Sequence, residues 1–227
     1  MVSKSNIFYF NHNSYIFLIY KHLVFLYNFF MLRVAITGNI ASGKSQVEKI
    51  LVDLGYKVAD TDKINHSILS SDIDAINEIK SVFSDDDIVE TDGTISRAKL
   101  GKVVFSDLNK KKQLENILHK RINEKVQEFF QKNSNEKLVF ISIPLLFETN
   151  QQDDFDKIVF ISADENLRLK RLIERNNYSI EYAKARISSQ IPEDEKIKKS
   201  DFVIYNNSDF SSLNNQVTSV LNQIIPL

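Results

Sequence analysis

The sequence predicts an α/β fold built on a parallel five-stranded sheet flanked by helices. Three observations carry that prediction. Short apolar runs rich in β-formers recur along the chain and alternate with segments of helical periodicity. The first run leads through a tight turn straight into a helix and then a second run, a β-α-β unit that demands parallel strands. That turn, Gly38-Asn39-Ile40-Ala41-Ser42-Gly43-Lys44-Ser45, has the G-x-x-x-x-G-K-[ST] spacing of a phosphate-binding loop, in a chain with only five glycines.

Each element follows from its local pattern. "LRVAIT" (32–37) is a short apolar run of the kind buried in parallel sheets. Over 44–54, Val47, Ile50, Leu51 and Leu54 fall at helical spacing, and Gly55 is a stop signal. "YKVAD" (56–60) is the second strand. From about 63 to 133 the pattern is helical. Ile64, Ile68 and Leu69 share one face, and Ile73, Ile76 and Ile79 mark a second short helix. Residues 84–96 form a turn region pivoting on Asp92-Gly93. Helices resume at about 96–105 and 107–132. "KLVFISI" (137–143) is a third strand, ended by Pro144, and "DKIVFIS" (156–162) a fourth. Residues 164–189 are helical and basic, "FVIY" (202–205) is the last strand, and 209–223 the last helix.

Composition narrows the function. The formal net charge is −1, so no overall basic field draws the protein to nucleic acid. There is no cysteine, hence no disulfide and no thiolate chemistry, which suits a reducing, cytoplasmic interior. Residues 1–30 stand apart, holding six of the sixteen Phe and four of the eight Tyr. Lys21 and His22 interrupt what would be a membrane span, and no small-residue cleavage site follows. The expectation is a mistaken upstream start, with Met31 of "MLRVAIT" the natural one; the rival is a membrane-associating extension. No membrane contact is expected of 31–227.

The phosphate loop explains its own residues. Gly38 and Gly43 let the backbone curl so that successive N–H groups point at phosphate oxygens. The helix starting near Lys44 offers its unpaired N–H groups and positive dipole end to the same anion. Lys44 would neutralise β- and γ-phosphates and Ser45 would place a hydroxyl on Mg²⁺. The candidate contacts to ATP are Gly38, Ala41, Ser42, Gly43, Lys44, Ser45 and Gln46, whose N–H still faces the phosphates. No N-K-x-D-like guanine reader and no later Gly-rich signature follows, and "VFISIP" ends its strand without an acid. The acids stand after the second strand instead, as Asp60 and Asp62. Strand carboxyl ends open onto the ligand crevice, so Asp62 is placed to accept a proton from a hydroxyl or to help organise Mg²⁺. A helix N-cap at Asp60 or Asp62 is the alternative, and the two uses are compatible. The run "LRLKRLIERN" (167–176) brings Arg168, Lys170, Arg171 and Arg175, with Arg186 beyond it. It is either a solvated helix face or an arginine lid over a transferring phosphoryl group.

Taken together, "TGNIASGKS", "VADTD", "DGTISRAKL", "IPLLFE", "LRLKRL" and "DFVIYNN" occur in an order and spacing that resembles the dephospho-CoA kinase family, from Met31 to about residue 222. The resemblance implies a P-loop kinase fold with a helical acceptor-binding insertion and a basic helical lid. It implies phosphorylation by ATP of the ribose 3′-hydroxyl of dephospho-CoA, the last step of coenzyme A synthesis; a kinase for a nucleoside monophosphate or another small alcohol is the alternative. Carried over, Asp62 matches the general base, Lys44 and Ser45 the phosphate and Mg²⁺ ligands, and Arg171 the lid arginine. Arg97 and His119 match substrate-binding residues of the insertion, as Asp62 does at its start, although members often have His-Pro where this chain has His119-Lys120. The stretch 201–207 would lie near the adenine. The expected organisation is an extension 1–30, a nucleotide-binding core of 31–62, 134–162 and 200–227, an acceptor-binding insertion 63–133 and a lid 163–199.

Overall fold

The computed structural model describes residues 31–225; the expectation for 1–30 lies outside them. The strands are β1 (Leu32–Gly38), β2 (Lys57–Asp60), β3 (Leu138–Ser142), β4 (Lys157–Ser162) and β5 (Phe202–Tyr205). They form one sheet in the order β2-β3-β1-β4-β5, with every pairing parallel. β1 is central, and β3 and β4 are buried along most of their length, as apolar runs without polar alternation require.

The helices are α1 (Lys44–Asp53), α2 (Thr61–Ser71), α3 (Ile73–Val82), α4 (Arg97–Ser106), α5 (Leu108–Lys132), α6 (Glu165–Asn176), α7 (Ile180–Ser188), α8 (Glu193–Lys198) and α9 (Phe210–Ile224). Capping side chains start most of them. Asp60, Asp72, Ser96, Asp107, Ser179 and Asp209 each accept a hydrogen bond from an N–H of the first turn. One sheet face packs on α1 and α9 through Val47, Leu51, Phe140, Val217 and Leu221. The other packs on α5 through Val126 and Phe130, with Ala35, Ile141 and Phe160 beneath. A third apolar cluster, of Ile79, Phe83, Ile88, Ile95, Leu100 and Ile117, belongs to the helical insertion alone.

The helical stretch 164–189 holds two helices, because Asn177 adopts the left-handed conformation (φ 54°) and Ser179 caps a new start. One further segment gains an element. Residues 193–198, given no element by periodicity, form α8; its first turn carries Glu193, Asp194 and Glu195, which suit a helix N-terminus. The turn at Asp92-Gly93 lies where expected, closed by Glu90 N–H to Thr94 O at 2.8 Å and a bridge between Val89 and Ile95.

Candidate active site

The carboxyl ends of β1, β2 and β3 open onto a cleft of about 880 Å³. The turn after β1 forms its floor. Gly43 (φ 95°) and Ala41 (φ 62°) both turn through the left-handed region, and this curls the loop. A Cβ on Gly43 would sit 2.0 Å from Asn206 Nδ2, so glycine is required there by space as well as by torsion. A Cβ on Gly38 would meet Ile161 O and Ser42 Oγ, each at 2.6 Å. Asn206, just beyond β5, braces the loop by donating to Ser42 O at 2.8 Å and Gln46 Oε1 at 3.1 Å.

The curled loop is built for an anion. The N–H groups of Ala41, Gly43, Lys44 and Ser45 meet no acceptor among the described residues. Ser42 Oγ is buried without a partner. Helix α1 has no side-chain cap and no acid in its first turn, so its dipole is not neutralised from within. The Gln46 N–H does not face the cradle as expected: it donates to Gly43 O at 2.9 Å, because the chain has already entered the helix. Lys44 Nζ lies against Glu48 Oε1 at 2.9 Å and donates to Ser142 Oγ.

Asp60 and Asp62 divide the two uses left open by the sequence. Asp60 caps α2, accepting from Asp62 N at 2.9 Å and Lys63 N at 3.4 Å. Asp62 makes no cap, and both line the cleft. The Asp62 side chain opens to solvent at the cleft mouth, yet enough protein surrounds its carboxyl to raise its pKa above the ordinary carboxylate value. That desolvation is the largest cause. Asp60 and, less strongly, Glu48 reinforce it; Lys44 and Arg97 oppose it.

The basic run of α6 splits by direction. Arg171 reaches the loop and donates to Ala41 O, Ser42 O and Asn206 O at 3.4, 3.3 and 3.0 Å. Burial lowers the pKa of its guanidinium, which meets carbonyls rather than a carboxylate. Arg175 and Arg186 line the same cleft. Arg168 turns the other way, 5% exposed, donating to Ala163 O and lying 3.6 Å from Glu193. Lys170 is exposed beside Glu174. So one residue type in one helix serves both as cleft cation and as structural tie.

Gly38, Ala41, Ser42, Gly43, Lys44, Ser45, Gln46, Asp62 and Arg171 are therefore brought together around one cleft. Arg97 and His119 do not line it. Arg97 stands at the start of α4, with Nη1 2.7 Å from His66 Nδ1 on α2, and its charge is still felt at Asp62. His119 is exposed on α5. Sequence reasoning missed Glu48, whose signal was its place one helical turn after Lys44. It also missed Asn39, Glu193 and Lys196. Glu193 accepts from Asn39 Nδ2 at 2.8 Å and Ser162 Oγ at 2.6 Å, and buried Lys196 donates to Asn39 Oδ1 at 2.9 Å and Glu148 at 2.6 Å. No sequence signal marked this network, because its members lie far apart in the chain.

Among the described residues, no three His, Cys, Asp or Glu side chains cluster as a metal cage. The cleft offers the Ser45 hydroxyl and the Asp60 and Asp62 carboxylates. That donor set suits a cation such as Mg²⁺, which keeps several waters and arrives with phosphates. No helix among the described residues is long and apolar enough to cross a membrane.

A family model described as dephospho-CoA kinase matches residues 32–212. A dephospho-CoA kinase of Listeria monocytogenes is 38% identical over 196 residues, 85% of this chain and 96% of its own. One of Campylobacter jejuni is 37% identical over 190 residues, 83% and 94%. The solved dephospho-CoA kinase from Campylobacter jejuni superposes with a TM-score of 0.64 at 35% identity, covering 85% of this chain and 96% of that one. TT1252 from Thermus thermophilus gives 0.76 at 30%, covering 86% and 98%. With the phosphate cradle, the paired acids and the arginine-lined cleft in one parallel α/β fold, and with relatives matched across nearly their whole length, this chain belongs to the dephospho-CoA kinase family.

Proposed function

We propose that the protein transfers the γ-phosphoryl group of ATP to the ribose 3′-hydroxyl of dephospho-CoA, giving coenzyme A and ADP, the last step of coenzyme A synthesis. The observation that carries this reading is Asp62, which lines one cleft with the phosphate loop and Arg171; the raised proton affinity of its carboxyl supports it. A site that only bound nucleotide would have no use for a proton acceptor there.

The loop N–H groups and Ser42 Oγ hold the donor's β- and γ-phosphates, with Lys44 against them. Mg²⁺, held by Ser45 and the phosphates, would screen their charge. Arg171 and its neighbours on α6 and α7 meet the charge that spreads over the γ-phosphoryl oxygens in the transition state. The 3′-oxygen bonds to the γ-phosphorus as the bond to the ADP oxygen breaks, and the hydroxyl proton passes to Asp62. Closure of 163–199 excludes water, which would otherwise take the phosphoryl group.

The acceptor is assigned to the insertion 63–133. What supports this is a second cavity of about 670 Å³ between α2 and α5, bordered by Asp60, Lys63 and Arg121. Arg97, at the start of α4, meets His66 one turn beyond Asp62 on α2. The core 31–62, 134–162 and 200–227 carries the nucleotide.

The test is ADP release by the full chain with Mg·ATP and a panel of acceptors: dephospho-CoA, AMP, CMP, adenosine and water. Lys44→Ala is the control. Turnover with dephospho-CoA, lost in Lys44→Ala, is the expected result. Turnover with another acceptor but not with dephospho-CoA would overturn the substrate assignment and keep the phosphoryl-transfer chemistry.

A further inference from the structure

Glu48 has no part in the reaction as drawn. It follows Lys44 by one turn of α1 and is 6% exposed. Its Oε1 accepts from Lys44 Nζ at 2.9 Å and from Ser142 Oγ at 2.5 Å. Ser142 is fully buried at the carboxyl end of β3, and its Oγ also accepts from Lys44 Nζ. The three side chains close on one another where the first turns of α1 meet the end of β3, and of the three only Lys44 lines the cleft. Glu48 Oε2 accepts no hydrogen bond from the described residues. The β3 end carries no acid of its own, so Glu48 brings a carboxylate from α1 to that place.

Stability alone is a weak reason for this arrangement. A buried ion pair is costly to desolvate, and an apolar side chain of similar size commonly serves as well. The charge is therefore to be explained by the site. Lys44 has a long, flexible stem, and two acceptors at the end of β3 hold its ammonium in one place. Glu48 does not itself line the cleft, but its charge is felt there, as its effect on Asp62 shows, so phosphates arriving at Lys44 come within its field. Like-charge repulsion grows with the charge of the arriving group, so a bare triphosphate is penalised more than one complexed with a divalent cation.

We infer that Glu48 is a positioning and selectivity residue: anchored by Ser142, it fixes Lys44 and gives the phosphate site its preference for metal-complexed over bare nucleoside triphosphate. This rests on the ATP reading above.

The test is calorimetric titration of the full chain with ATP, in excess Mg²⁺ and in chelator, comparing the two dissociation constants. Glu48→Gln keeps the shape and removes the charge. It should tighten bare ATP roughly tenfold and leave Mg·ATP within about threefold. Glu48→Asp keeps the charge and should hold the parent's ratio. Glu48→Leu is a second charge-free variant and must move the ratio in the same direction as Glu48→Gln, with thermal melts reporting that each is folded. An unchanged ratio in the charge-free variants, or an equal shift in Gln and Asp, overturns the inference while leaving the ATP reading intact. A parent that binds neither form of ATP overturns both.

Discussion

At Asp62, burial and the Asp60 carboxylate push the proton affinity up while Lys44 and Arg97 pull it down. In the proposed role of base Asp62 must be ionised, so turnover should rise with pH through a value above that of an ordinary aspartate. Asp62→Asn should lose that acid limb and lower kcat by about 10² or more, read from the pH profile of kcat. The same shift has a sign for stability. A carboxyl raised in the folded state contributes stability that is present below its unfolded value and is lost as pH rises through the folded one. At neutral pH, then, Asp62→Asn should melt no lower than the parent. The loop glycine gives a second residue-scale prediction. Gly43→Ala places a methyl 2.0 Å from Asn206 Nδ2 at a φ of 95°, which costs about 1–3 kcal/mol in torsion alone. Calorimetry should show ATP affinity reduced at least about tenfold. Retained affinity would mean that the loop has another conformation available.

Helix α6 shows how an element sorts one residue type into two jobs. Arg168 and Arg171 stand three residues apart, yet one is tied to Ala163 O and Glu193 and the other to the phosphate loop. Arg171→Ala should lower kcat by about 10³ with little change in melting temperature. Arg168→Ala should do the reverse, costing about 1–3 kcal/mol by leaving its partners unpaired, as measured by urea unfolding. Matching losses in both assays for both variants would refute the division. Helix α8 works at the same scale. Glu193 and Lys196 reach Asn39 from one short helix, and Gln190 just before it accepts from Ile40 N at 2.8 Å. The segment carrying the cleft arginines is thus fastened to the phosphate loop at its carboxyl-terminal end.

Across the described residues, three apolar clusters set the sheet core apart from the helical insertion. Two sandwich the sheet, and the third lies wholly within the insertion. A core with its own cluster can be perturbed on its own account. Phe83, 1% exposed, belongs to the third. Phe83→Ala should cost about 3–5 kcal/mol of local stability. It should raise KM for dephospho-CoA while leaving the ATP dissociation constant unchanged. An equal loss of ATP binding would show that the insertion and the nucleotide core unfold together.

Most of the framework was legible in residue order. Strand and helix positions follow from apolar periodicity, because burial against a sheet leaves a local imprint. The phosphate loop was legible because its chemistry needs glycines and a lysine at one contiguous spacing. Asp62 was legible because a strand end faces the crevice, although whether it or Asp60 formed the cap was not. What residue order does not carry is pairing across distance and the direction in which a side chain leaves its helix. The Lys44–Glu48–Ser142 contact joins residues 94 or more positions apart as well as neighbours on one turn. The Asn39–Glu193–Lys196 network spans more than 150. Arg168 and Arg171 are alike until α6 is docked. Residue order alone sets the sheet, the cradle and an acid at the neighbouring strand end, because each depends on local pattern. Which charges are spent on structure and which are left facing the cleft was decided only by the tertiary packing, which brings distant polar groups close enough to satisfy or to desolvate one another.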